Sequence, residues 1–141
     1  MGQSTDDDRR GLVLVSPGLE LVEVEDWAER FGYRIEHLPE PGYRAHPDAD
    51  AAQRRRLGRQ DAGSLVALLR GVKSELRASA RIVALLVADE DVSGQAGRAW
   101  LRRLEEAAER VGVALPRPAR FTSDGRFDAT RLERRILAEA E

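Results

Sequence analysis

The sequence predicts an α/β fold, a three-layer sandwich around a mostly parallel sheet of about four strands. Three observations carry this. Two apolar, β-branched runs, "GLVLVS" (11–16) and "ARIVALLVA" (80–88), read as strands buried on both faces. Between them, strand, helix and strand follow one another over residues 11–38, the span of a βαβ unit. The same alternation then continues to the end of the chain, and strands alternating with helices imply a parallel sheet covered by helices.

Each element has its own signal. Gly11 and Pro17 bound the first strand. In "PGLELVEVEDWAERFG", Leu21, Val24, Ala28 and Phe31 recur at helical spacing beside Trp27, and Gly32 stands where a helix ends in a left-handed cap. "YRIEHL" (33–38) alternates as a second strand. "PEPGYRAHPDAD" (39–50), with three Pro and one Gly, reads as a loop. "AAQRRRLGRQ" (51–60) is a short basic segment, helical as far as Gly58. Asp61 is then placed to cap a separate helix whose apolar stripe is Leu65, Val66, Leu68, Leu69, Val72 and Leu76. After the central strand 80–88, Trp100, Leu101, Leu104, Ala107, Ala108 and Val111 mark a long helix closed by Gly112. "VALP" (113–116) reads as the fourth strand and "RPARFTSDGRF" as a loop with a turn at Asp124-Gly125. Asp128 is placed to cap a last helix with Leu132, Ile136 and Leu137 inward.

Composition narrows the function classes. The chain has no Cys, which excludes disulfides, thiolate metal sites and a Cys nucleophile and fits a reducing cytoplasm. No apolar run reaches the length of a membrane span. "MGQSTDDDRR" lacks the apolar centre of a signal peptide and is expected to be a disordered tail (1–10) ahead of one domain (11–141). The net charge of −2 hides an asymmetry. Residues 1–50 hold 12 acids and 5 bases, whereas residues 51–81 hold 2 acids and 8 bases. Arg54, Arg55, Arg56 and Arg59 in "QRRRLGRQ" are therefore candidate phosphate contacts for a nucleic acid. Pairing with the protein's own acidic half, or simple solvation, is the alternative, and a protein partner using the 39–60 segment is another.

Catalytic constellations are sparse. Ser16 ends a strand before a turn but lacks G-x-S-x-G flanks, so a turn serine is expected. His37, His46, Asp48 and Asp50 match no standard metal spacing. The acidic strand end is more informative. In "ADED", Asp89 and Asp91 are spaced i, i+2 at the carboxyl end of the expected central strand, where open parallel sheets place their sites. Two such carboxylates suit a hard cation such as Mg²⁺, and a solvated strand–helix loop is the alternative.

"DEDVSG" (89–94) resembles the D-x-D-x-x-G motif of Toprim domains, the metal-binding module of topoisomerases, DnaG-type primases and related nucleases. Its place after an apolar strand and before a helix is similar too, as is the run "LVLVSPGLELVEV", a first strand leading through a Gly-containing turn into a helix. The resemblance covers roughly residues 11–115 and implies a Toprim/Rossmann-like layout. It also implies that Asp89 and Asp91 hold Mg²⁺ and that the domain binds or processes nucleic acid. One departure matters. The family closes its first strand with a Glu that moves protons or supports the metal, and here Ser16 stands there. That leaves open an inactive, binding-only relative, or a non-catalytic interaction or regulatory module of the same fold.

Overall fold

In the computed structural model, residues 11–16, 22–76, 81–88, 94–121 and 129–140 are described. The expected tail (1–10), the turn at Asp124-Gly125 and the cap at Asp128 lie outside them. The elements run β1 (Gly11–Val15), α1 (Val22–Arg30), β2 (Arg34–His37), α2 (Gly42–Ala45) and α3 (Ala51–Leu76). They continue with β3 (Arg81–Ala88), α4 (Gln95–Val111), β4 (Pro118–Phe121) and α5 (Ala129–Ala140). The four strands form one all-parallel sheet in the order β2-β1-β3-β4.

Two apolar clusters lie on its two faces. Leu12, Leu14, Leu85 and Val87 meet Leu65, Leu69 and Val72 of α3 and Trp100, Leu104 and Ala108 of α4. Val13, Val15, Leu86 and Ala88 meet Val24, Trp27 and Ala28 of α1 and Leu132 and Ile136 of α5. This division follows from strand order. The chain steps from β1 to β2 in one direction and from β2 through β3 to β4 in the other. Crossovers of one hand then put α1 on one face and α3 and α4 on the opposite face.

The β1–β3 pairing has an irregularity. Leu12 pairs with Ile82, but Val13 pairs with Ala84. One extra residue on β3 breaks the alternation, so Val83 and Ala84 both turn to the α1/α5 face. This is the effect of a β-bulge, which re-aims every side chain after it.

Both expected glycine caps are present. Gly32 (φ 73°) closes α1, with the Tyr33 N–H donating to Ala28 O at 2.8 Å and the Gly32 N–H to Glu29 O at 3.1 Å. Gly112 (φ 87°) closes α4. Only a residue without a side chain takes this backbone shape freely.

Several expectations need correction. Residues 51–60 and 61–76 are not two helices but one, α3, and Asp61 is not its cap. The cap is Asp50. Its carboxylate accepts from the Gln53 N–H at 2.8 Å, while Gln53 Oε1 accepts from the Asp50 N–H at 2.9 Å. This reciprocal pair satisfies donors that a helix start leaves orphaned. Gly58 does not end the helix because it sits on the buried stripe under Arg103 of α4. A Cβ there would lie 2.6 Å from the guanidinium. The expected loop 39–50 contains the short helix α2.

"VALP" is not the fourth strand. The Val113 N–H is taken by Ala108 O at the end of α4, and Val113 plugs the core. β4 begins instead at Pro118, opposite Leu85. A proline is tolerated as the first residue of an edge strand, where no partner needs its N–H. Leu137 is 67% exposed rather than inward, and Phe31 is 41% exposed, stacked on Tyr33 with ring centroids 5.9 Å apart.

α5 is held to α1 through its other side. The Trp27 Nε1–H donates to Glu133 at 3.2 Å, and Leu132 is buried. Leu132→Ala is expected to lower the unfolding free energy by about 3 kcal/mol, the range for a buried leucine. Leu137→Ala should stay within about 0.5 kcal/mol of wild type. Urea unfolding of both variants checks the assignment of the inward face.

Candidate functional site

α3 brings the candidate basic residues to the surface. Its first turns expose Arg54, Arg55, Arg56 and Arg59. Among the described residues, no carboxylate forms an ion pair with any of the four. Arg34 of β2, itself within the acidic half, pairs with Glu36 and with Glu75 of α3.

Beside these turns lies an open cleft of about 560 Å³. One wall is His46, Pro47, Asp48 and Ala49, and the other is Gln53, Arg56, Leu57 and Gln60. The second set is spaced i, i+3, i+4, i+7, so all four fall on one face of α3. Arg56 is thus the arginine of the four that belongs to the cleft wall.

The cleft exists because the chain after β2 is folded back onto α3. Both carboxylate oxygens of Asp61 accept from the Gly42 N–H, at 3.0 and 3.1 Å. Gly42 sits close against the helix, where a Cβ would come within 2.9 Å of Leu57 Cβ. Asp61 is itself half-buried. Burial pushes its carboxyl above the ordinary carboxylate range, opposed by the Gly42 hydrogen bond and by the Arg103 charge. Gly42, Asp61 and Arg103 therefore position the cleft, and none of them was singled out for that role by its residue type. The available signals were "PGY" after a strand and a lone acid in a basic segment.

The strand ends carry less. Asp89 and Asp91, the expected Mg²⁺ ligands, lie outside the described residues. At the described carboxyl ends stand Val15, His37, Ala88 and Phe121, with Ser16 following β1, and none of these is a carboxylate. Among the described residues, no group of three or more His, Cys, Asp or Glu side chains is placed to hold a metal ion. The described strand ends therefore do not fit Mg²⁺ by themselves, and a metal reading rests on Asp89 and Asp91 alone. Ser16 is fully buried. Its N–H donates to Leu86 O at 2.9 Å, and its hydroxyl accepts from the Ala88 N–H at 3.5 Å. It bridges the ends of β1 and β3 and offers no surface to a substrate, as expected of a turn serine. His37 and His46 are both exposed, on different segments. Among the described residues, no helix is long and apolar enough to cross a membrane.

The raised Asp61 pKa fixes a sign. Between the ordinary carboxylate value and the raised one, the folded state binds more protons than the unfolded state. Stability is therefore lost as pH rises through that window. Asp61→Asn keeps an oxygen for the Gly42 N–H but carries no charge. Its melting temperature relative to wild type is expected to rise as pH climbs from the ordinary carboxylate value through the raised one, as read from paired thermal melts.

Comparison with protein-family models, with curated proteins and with solved structures finds no match to this chain.

Proposed function

We propose that this is a nucleic-acid-binding α/β domain that grips the phosphate backbone through Arg54, Arg55, Arg56 and Arg59. The observation that carries the reading is that these four guanidinium groups stand exposed on consecutive turns of α3, with no carboxylate paired to them among the described residues. At about 100° per residue they fan over more than half of the helix circumference. One small phosphate ligand cannot meet groups so spread, whereas an extended polyanion can. Local charge governs such encounters even though the whole chain carries −2. Contacts of this kind go to phosphates, so binding is expected to be indifferent to base sequence. The setting we propose is the cytoplasm.

The Toprim-type part of the reading, a divalent cation held by Asp89 and Asp91, is supported by the motif in "DEDVSG" and by its position after β3. Ser16 in place of a strand-end Glu favours a binder over a nuclease, since proton transfer lacks its obvious agent.

Binding of wild type to a labelled duplex by fluorescence anisotropy should weaken steeply with salt, by roughly one unit of log–log slope for each phosphate contacted. The quadruple variant Arg54→Gln/Arg55→Gln/Arg56→Gln/Arg59→Gln should lose about 3 to 4 units of that slope and on the order of a hundredfold in affinity at low salt. Wild type that fails to bind duplex at about 50 mM salt would sink the reading and turn attention to a protein partner for residues 39–60.

The metal has its own test. Titration with Mn²⁺ should selectively broaden the amide resonances of residues 88–95, and Asp89→Ala/Asp91→Ala should abolish the effect. Uniform broadening at millimolar Mn²⁺ would mean that "ADED" is a charged loop.

A further inference from the structure

A second cleft, this one basic, lies further along α3. It has a volume of about 300 Å³ and is lined by Arg70, Lys73 and Ser74 of α3 and by Arg110 and Val111 of α4. Three cations and a hydroxyl meet there, and no Asp or Glu is in the lining. Arg70 and Arg110 are exposed, and among the described residues neither is in an ion pair. Lys73, the only lysine of the chain, is fixed in place: its Nζ donates to Val111 O at 2.8 Å. That bond offsets the negative end of the α4 dipole and leaves two further N–H donors for a ligand. Like charges gathered in so small a space repel one another unless an anion joins them.

The position of this cleft relative to the first basic surface is also specific. Arg70 follows Arg59 by 11 residues and Arg56 by 14, close to three and four turns of helix. All three therefore lie toward one side of α3, with roughly 17–21 Å between the two basic groups along the axis. A mononucleotide cannot reach both. Duplex phosphates rise about 3.4 Å per residue along one strand, so about six phosphates cover the interval.

We propose that Arg70, Lys73, Ser74 and Arg110 form a second phosphate site for the same ligand, so that α3 takes a nucleic acid with a run of at least about six consecutive phosphates. This rests on the nucleic-acid reading of the first basic surface and adds to it the ligand's polymeric character and its minimum length.

Two labelled hairpins test it, one with a stem of about 4 base pairs, too short to span the interval, and one with about 14. On the long stem, Arg70→Gln/Arg110→Gln is expected to lose about tenfold in affinity and about two units of salt slope. On the short stem it should bind within about twofold of wild type, because the first surface alone serves it. Arg70→Lys/Arg110→Lys should recover most of the loss, since lysine still supplies a point charge to a phosphate. Circular dichroism melts of each variant confirm that the fold is retained. An unchanged long-stem affinity in Arg70→Gln/Arg110→Gln overturns the second site. If the quadruple Arg54/Arg55/Arg56/Arg59 variant still weakens both stems, the nucleic-acid reading stands without it. Wild type that binds neither hairpin overturns both.

Discussion

The pairing of β1 with β3 is the constraint on which the rest of the molecule depends. Both strands are buried on both faces, so each needs helices above and below it. The chain meets that need by reversing direction after β2, which sends α3 and α4 to the face opposite α1. The bulge at Val83–Ala84 then decides which residues of β3 face which helices. Ser16 seals the end of this pair, with its backbone on Leu86 and its hydroxyl on Ala88.

On the α3/α4 face, two helices are held at close range by groups that are polar yet partly buried. Arg103 crosses α3 at Gly58, and Lys73 reaches the last carbonyl of α4. Glycines at 58, 63 and 71 each weaken a helix by close to 1 kcal/mol relative to alanine, so propensity alone would not hold 26 residues together. Packing against the sheet and α4 supplies what propensity lacks. The basic turns at one end and the basic cleft at the other are rigidly related because a single helix joins them.

Much of this was legible in the sequence where the signal is local and periodic. The runs at 11–15 and 81–88, the stripe Leu65–Leu69–Val72 and the glycine caps at 32 and 112 follow from spacing and residue type. What was not legible depends on contacts between distant residues. Gly58 reads as a helix stop until Arg103 is known to lie over it. Asp61 reads as a cap until Gly42 is known to donate to it. Pro118 reads as loop until it is known to start an edge strand. The candidate site divides in the same way. The arginines announce themselves by charge, whereas the cleft beside them forms only when residues 46–49 are brought against α3.

The two edges of the sheet have a consequence for how the protein meets other molecules. β2 and β4 are the outer strands, and each is only four residues long. Arg34 on one is engaged with acids, and Pro118 on the other presents no N–H. An incoming strand would find a short row of backbone partners on either side, interrupted on β4 by Pro118. Strand addition, which an exposed sheet edge invites, is discouraged at both margins.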